Sequence, residues 1–419
     1  MTDTSDILVV GAGIVGVSTA IWLQRSGAAV TLIDRDEPGF ATSYGNAGIL
    51  ATASIVPIPT PGILLKVPGM LFNNKKPLFL RWSQVPRLLP FFYKYLRNSN
   101  KYSVSKISNA LSYILHDSVE QHLEIAKGTK AEKYITTDDL IVGYADKKAY
   151  ESDKYSWALK EKHGHEFAIL DQKHLAEYDK NLENKFGLAV QCMNHGSIID
   201  PGAYVGELFN SFLNNGGKFL KSDIKDFLFD GSNNLIGLVT NSGDITCNKA
   251  VLTTGAWSAG LAKILGARIP LVSERGYNVE YHSPNIKLKA PVMISDSKFI
   301  IHSMQGRLRC AGLVEFGGLS DVTSYKPFEL IENKIKTLFP ELKYERKTRW
   351  MGHRPSTTDS LPVISVSPKY KNVWLGYGHQ HIGLSAGPKT GKLLSEIILS
   401  KNTNRDLSIF SANRDGLID

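Results

Sequence analysis

The chain has 419 residues, with 49 Lys and Arg against 40 Asp and Glu, 42% apolar and 21% charged content. This balance suits a globular protein of two or three domains with a sizeable core. It holds no apolar run of the ~18 residues that a transmembrane helix needs. Cys192, Cys247 and Cys310 are too widely spaced for a disulfide framework or a zinc motif, so a reducing, cytoplasmic setting is expected. The opening Met1-Thr-Asp-Thr-Ser-Asp6 is short and acidic, unlike a signal peptide. The net charge of +9 is confined to one stretch. From Pro38 to His116 there is no Asp or Glu, while Lys66, Lys75, Lys76, Arg81, Arg87, Lys94, Arg97, Lys101 and Lys106 all fall there. Elsewhere cations and anions balance. A local basic feature is therefore expected, and a general nucleic-acid-binding surface is not.

Ile7 to Val10 is a short all-apolar run, the pattern of a strand buried on both faces of a parallel sheet. Gly11, Gly13 and Gly16 follow at G-x-G-x-x-G spacing, with Ile14 and Val15 between them. Gly11 allows the tight turn, Gly13 the approach of backbone amides to a pyrophosphate, and Gly16 the close packing of helix on strand. The helix runs to Arg25 and stops at Gly27. A second apolar strand ends on Asp34, where a carboxylate accepts from a ribose hydroxyl, and Arg35 follows it. Strand, glycines, helix, strand and acid together predict a dinucleotide site.

Ala41-Thr-Ser-Tyr-Gly-Asn-Ala-Gly48 is a loop of small and polar residues able to approach a flat cofactor closely. With the fingerprint and Asp34, its pattern Thr42-Ser43-x-x-Asn46-Ala47-Gly48 resembles the FAD-dependent D-amino-acid oxidase and dehydrogenase (DAO-type) family. The run from Asn46 through Pro61-Gly62 to Leu78-Phe-Leu-Arg81-Trp82 resembles its bacterial D-amino-acid dehydrogenases. The likeness spans nearly the whole chain. It implies an α/β fold: a glutathione-reductase-like, Rossmann-type FAD domain and a substrate domain of antiparallel sheet plus helices. The FAD domain is expected from residues 1–60, 195–265 and 345–419, and the substrate domain from 61–194 and 266–344. Ser43, Asn46, Ala47 and Gly48 are implied cofactor contacts. FAD is expected to be non-covalent, because no cysteine matches a flavin-linking motif.

Prolines between Ile55 and Pro90 break any long element. Arg87 to Lys101 then reads as a helix with Leu88, Leu89, Phe91, Phe92, Tyr95 and Leu96 on one side and Arg87, Lys94, Arg97 and Lys101 on the other. It either covers the substrate domain or, with the rest of the basic stretch 63–106, touches an anionic membrane surface. Ser105 to Ala126 continues as helix, Leu140 to Tyr144 as strand, Lys147 to Lys162 as helix, and Pro201 opens another helix. The resemblance implies that Ile224 meets adenine through its backbone. It also places Gly255 and Trp257, in Gly255-Ala-Trp-Ser258, beside the pyrophosphate and ribose.

Trp350-Met-Gly-His-Arg354-Pro355 resembles the family's G-x-R-P segment, which implies that Arg354 grips a substrate carboxylate. The chemistry agrees independently, since a planar guanidinium gives two charge-assisted bonds. His353 beside it is a further site candidate. Gly376-Tyr-Gly378-His-Gln-His-Ile-Gly383-Leu384 is a glycine-rich turn opening a helix, a second anion-receptive N-terminus. Gly378, His379, Gly383 and Leu384 are expected at the flavin, and His379 or His381 at flavin or substrate. No third ligand lies near these two histidines, so no metal is expected. Tyr277 is a candidate to place a phenol over the substrate, and Arg307 and Arg309 read as surface charge.

The resemblance thus implies FAD-dependent oxidation of a D-amino acid or related amine. A hydride would pass from Cα to flavin N5, and the imine would hydrolyse to a 2-oxo acid. The basic, aromatic, acid-free stretch adds the expectation that a quinone-type partner takes the electrons. The protein would lie in the cytoplasm or peripherally on the inner face of the cell membrane. Glycine, sarcosine, D-proline and hydroxyproline stay open as substrates. An RNA-modifying flavoprotein, or a flavin-bearing subunit that only assembles a membrane complex, are the readings from other classes.

Overall fold

The computed structural model describes residues 7–63, 78–267, 269–401 and 406–414. Six strands form one sheet in the order Val363–Val366, Val373–Tyr377, Ala250–Leu252, Ile7–Val10, Val30–Asp34, Lys218–Lys221. Neighbours run parallel, except the antiparallel pair Val363–Val366 and Val373–Tyr377. Ile7–Val10 sits in the interior with Val9 opposite Val251 and Leu32, which explains why every one of its residues is apolar.

Helix Ile14–Arg25 leaves this strand through the glycine turn and packs on helix Gly383–Ile398. Two glycines one turn apart set that crossing. A Cβ on Gly387 would lie 2.7 Å from Ile14 Cγ1, and one on Gly391 2.6 Å from the Ser18 carbonyl carbon. Pro388 lies between them and has no N–H to give Leu384 O, its partner four residues back. His122 supplies the missing donor: Nε2 lies 2.9 Å from Leu384 O, and Nδ1 lies 2.8 Å from the Tyr204 hydroxyl. Burial lowers the His122 pKa to about 4, so the ring is neutral and Nε2 carries its proton. A buried histidine thereby seats the first turn of the C-terminal helix.

The large sheet has the path Arg346–Thr357, Leu271–His282, Arg307–Phe316, Phe299–Met304, Val292–Ile294, Ile135–Tyr144, Leu188–Ile198, Ile49–Leu50. Most pairs are antiparallel, as expected of the substrate domain. Val292–Ile294 with Ile135–Tyr144, and Arg307–Phe316 with Leu78–Leu80, are parallel and make the sheet mixed. Strand Arg346–Thr357 pairs along its whole length with Leu271–His282, so this part of the expected third FAD segment belongs to the large sheet. Ile49–Leu50 likewise pairs with Ser197 and Gly196, tying the loop after Gly48 to that sheet.

The element bounds differ mainly where polar residues interrupt a helical pattern. Ser105–Ala126 is two helices, Lys101–Leu115 and Ser118–Ala126, parted at His116-Asp117. Lys147–Lys162 is also two, with Asp146 accepting from Ala149 N–H at the start of the first. Helix Val85–Arg97 buries Leu88 and Phe91 beside Phe316, and Phe92 meets Phe316 edge-on at 5.1 Å. Leu89, expected on that covering side, is 59% exposed. Lys66, Lys75 and Lys76 lie outside the described residues.

Candidate active site

A cavity of about 690 Å³ opens where the six-stranded sheet, the loop 41–48 and the large sheet meet. At one end lies the glycine turn. Gly11 has φ +106°, and a Cβ there would sit 2.6 Å from Thr253 O. At Gly16 a Cβ would fall 1.7 Å from Gly11 O, so glycine is required for strand and helix to meet. Gly13 differs: among the described residues the nearest atom to its Cβ position is Ser43 Oγ at 3.4 Å, and Gly13 lines the cavity. Thr253 pins the turn by donating to Val10 O at 2.8 Å and Gly11 O at 3.0 Å.

Asp34 ends the second strand with its carboxylate accepting from Ala12 N–H at 2.5 Å and from Asp36 N–H at 3.0 Å. Burial raises its pKa, and those backbone donors oppose the rise. Arg35 lies 4.4 Å above the Trp257 ring, and both line this end together with Ile224 and Gly255.

Two helix N-termini face the cavity. Ile14 N–H of the first donates to Ser43 Oγ at 3.1 Å. The second, at Gly383, has no side-chain cap among the described residues, and Gly383 and Leu384 line the cavity. Uncapped N–H groups at the positive end of a helix are donors for an anion. Backbone donors at a glycine turn open at Gly13 and at two helix N-termini, with a strand-end carboxylate as acceptor, are a set of groups that flavin adenine dinucleotide fits.

The other end belongs to the large sheet. Arg307–Phe316 bulges between the residues facing Arg275 and Tyr277, with Leu313 at φ +59°. This turns two carbonyls toward Arg354, which donates through Nη1 to Leu313 O at 2.8 Å and through Nη2 to Gly312 O at 3.4 Å. The guanidinium lies flat over Gly276, where a Cβ would come within 2.5 Å of its Cζ. Glu274, directly across the ladder from Arg354, is 2% exposed and contacts Nη1 at 3.2 Å. The same Oε1 is 2.7 Å from His381 Nε2, and Oε2 accepts from Ser356 Oγ at 3.0 Å. Burial would raise the Glu274 pKa, but His381 and Arg354, with Ser356, override it and hold the carboxyl at about 2.

Of the residues expected at the site, Gly11, Gly13, Ile14, Val15, Asp34, Arg35, Ser43, Asn46, Ala47, Ile224, Gly255, Trp257, Arg354, His381, Gly383 and Leu384 line this one cavity. Gly16, Gly48 and Gly378 do not, and they act on the backbone instead. Gly48 (φ +78°) would place a Cβ 2.3 Å from Ile198 O, and Gly378 (φ +86°) one 2.8 Å from Thr357 Cγ2.

One candidate needs correction, and two others line the cavity with their polar atoms bonded inside the fold. His353 alternates with cavity-lining Gly352 and Arg354, so its ring points to the opposite side. There it is 4% exposed, with Nδ1 2.7 Å from Ser273 Oγ and its edge against Trp257. Tyr277 reaches the cavity lining, but its hydroxyl donates to Glu315, and its ring packs edge-on to Phe328 beneath the sheet. Burial first, then Glu315, pushes its pKa up to about 12. His379 also borders the cavity, yet its Nε2 bonds Thr390 Oγ1 at 2.9 Å inside the fold, and burial lowers its pKa to about 3.

The sequence reading misplaced two arginines and missed their partners. Arg309 is no surface charge: fully buried, it donates through Nη1 to Tyr44 O at 2.8 Å and Asn46 O at 2.6 Å, with Glu280 2.6 Å from Nη2. Arg307 bridges Glu280 at 2.8 Å and Asp200 at 3.0 Å. Together with His302, whose Nδ1 lies 2.8 Å from Ala47 O, they hold the loop 41–48 in place. Glu274 was missed although it shares strand parity with Gly276, a signal the alternation rule contains. The three cysteines are buried, and none lines the cavity.

Comparison with known proteins agrees with this geometry. The model of the DAO family, described as FAD dependent oxidoreductase, matches residues 6–397. A D-amino-acid oxidase of Bradyrhizobium diazoefficiens is 34% identical, covering 99% of this chain and 100% of its own. Among solved structures, glycine oxidase from Geobacillus kaustophilus superposes with a TM-score of 0.74 at 19% identity, covering 98% of this chain and 99% of its own. L-proline dehydrogenase from P. horikoshii gives 0.73 at 17% identity, covering 99% and 98%. The chain belongs to the DAO family of FAD-dependent oxidoreductases.

Proposed function

We propose that this flavoenzyme oxidises the amino group of a D-amino acid, giving a 2-oxo acid and ammonium. The observation that carries the reading is Arg354, presented by the large sheet into the same cavity as the FAD fingerprint. Its nearly full-length likeness to a D-amino-acid oxidase supports the amino-acid class. Arg354 holds the α-carboxylate, and the cavity orients the neutral amine. Bound FAD supplies a two-electron acceptor at N5 for the hydride leaving Cα. The amine loses a proton as the C=N bond forms, and water then hydrolyses the released imine. Because Cα–H departs with its electron pair, no strong base is required. The chain contributes orientation and electrostatics. Non-covalent attachment is part of the reading, so denaturant should release the flavin.

A screen with an artificial acceptor tests the substrate class. D-amino acids should yield 2-oxo acid, and L-enantiomers should yield little. Faster turnover of sarcosine, glycine or D-proline would move the reading to those amines. No turnover with any amine would remove it.

We further propose that a quinone-type acceptor at an anionic membrane surface takes the electrons. Among the described residues no helix is long and apolar enough to cross a membrane. Trp82, Leu89 and Tyr93 are 63%, 59% and 64% exposed beside exposed Arg87 and Arg97, a combination suited to a lipid headgroup layer. The protein should sediment with anionic vesicles at low salt, and Arg87→Gln with Arg97→Gln should weaken this by about 1 kcal/mol per charge. Quinone analogues should reoxidise the enzyme faster than oxygen does. Indifference to such vesicles would leave this helix as a cover for the sheet.

A further inference from the structure

We propose that Glu274 is a positioning residue for the reaction: it aims Arg354 and His381 at the substrate, and its effect is on the rate of oxidation more than on carboxylate binding. The inference rests on the amino-acid reading above.

The geometry is that of a clamp. Strand Leu271–His282 puts Glu274 opposite Arg354 in the ladder, and the turn before helix Gly383–Ile398 brings His381 to the same carboxylate oxygen. Glu274 is 2% exposed and does not line the cavity, whereas Arg354 and His381 do. Its second oxygen is fixed by Ser356, itself 2% exposed. Buried and bonded on both oxygens, the carboxylate cannot swing to follow its partners, so they are oriented by it. Arg354 spends Nη1 on Glu274 and Leu313 O, which fixes the plane of the guanidinium over Gly276. The guanidinium edge left for a substrate carboxylate is set before substrate arrives.

Binding and rate should therefore respond differently. A guanidinium without Glu274 keeps its charge and still attracts an anion, and loss of a nearby negative charge favours that anion further. What it loses is direction. Misplacing a reacting group by about 1 Å costs about 100-fold in rate.

The experiment uses the FAD-loaded protein and compares wild type, Glu274→Gln, Glu274→Asp and Ser356→Ala. Three quantities are measured: anaerobic bleaching by the best D-amino acid, propionate binding by flavin absorbance, and thermal unfolding. For Glu274→Gln the bleaching rate at saturation should fall about 10- to 100-fold, while propionate affinity stays within about threefold of wild type or tightens. Glu274→Asp keeps the charge but not the reach and should fall between. Ser356→Ala leaves the ion pairs in place and should lower the rate in the same direction by less. If Glu274→Gln does not fold, this milder variant decides the matter: a slower bleaching rate with unchanged propionate affinity supports the inference. Rates equal to wild type, or rate and affinity falling together with flavin loss, overturn it. Wild type that no amino acid bleaches would instead overturn the amino-acid reading itself.

Discussion

Arg354→Ala should lower kcat/KM for the preferred amino acid by roughly 30- to several-thousand-fold, the about 2–5 kcal/mol that follows truncating one partner of a buried charge pair. The substrate carboxylate would enter the cavity with no guanidinium to meet it. Glu274, 2% exposed, would lose its guanidinium partner and keep His381 and Ser356, so the fold should weaken as well. A double change separates the two costs. Arg354→Ala with Glu274→Gln removes the stranded charge and should recover thermal stability, yet turnover should stay low. Arg354→Lys should recover part of the activity, since one ammonium cannot reproduce two parallel bonds. An amine lacking the carboxylate should be a poor substrate for wild type and little worse for Arg354→Ala. Equal losses on both amines, or loss of FAD with the single change, would assign Arg354 a structural role only.

Gly13→Glu should abolish flavin retention while the protein still folds. Space at Gly13 is open apart from Ser43 Oγ at 3.4 Å, so a side chain there enters the cavity without striking the backbone. A carboxylate at that point would face the pyrophosphate. Like charges so placed cost several kcal/mol, which is more than about 100-fold in FAD affinity. Gly16→Ala should behave differently, because its Cβ falls 1.7 Å from Gly11 O and strand or helix must shift. It should lose thermal stability along with the cofactor. Circular dichroism and bound-flavin absorbance on the two purified variants separate the cases. A yellow Gly13→Glu protein would place the pyrophosphate elsewhere.

The cofactor end was legible in the sequence because its determinants are local. Gly11, Gly13, Gly16 and Asp34 lie within one strand–helix–strand unit: close backbone approaches require glycine at 11 and 16, Gly13 leaves open space at the cavity, and Asp34 accepts from Ala12 N–H. The substrate end was legible only in part. Arg354 stood out through its short motif, but its partners come from elsewhere in the chain: Glu274 across the ladder, His381 from the turn after the strand Val373–Tyr377, and the carbonyls of Gly312 and Leu313 from a bulge. No local pattern announces a bulge that needs a leucine at φ +59°.

The side chains whose surroundings the sequence did not reveal have related causes. Arg309 looked like surface charge because alternation tells which residues share a face, not what covers that face. Here the covering element is the loop 41–48, more than 260 residues away in the chain. His353 and His379 lay in the right segments with rings turned inward, and Tyr277 spends its hydroxyl on Glu315. Proximity in sequence to Arg354 or to a glycine turn did not carry side-chain direction.

Mixing the purified flavoprotein anaerobically with a D-amino acid, and separately with its L-enantiomer, while following the flavin absorbance, tests the central claim most directly. The account predicts that the D-form bleaches the flavin to completion, that the L-form bleaches it far more slowly, and that Arg354→Ala removes the difference. A flavin that stays oxidised with every amino acid, or that bleaches equally with both enantiomers in wild type and Arg354→Ala, would contradict it.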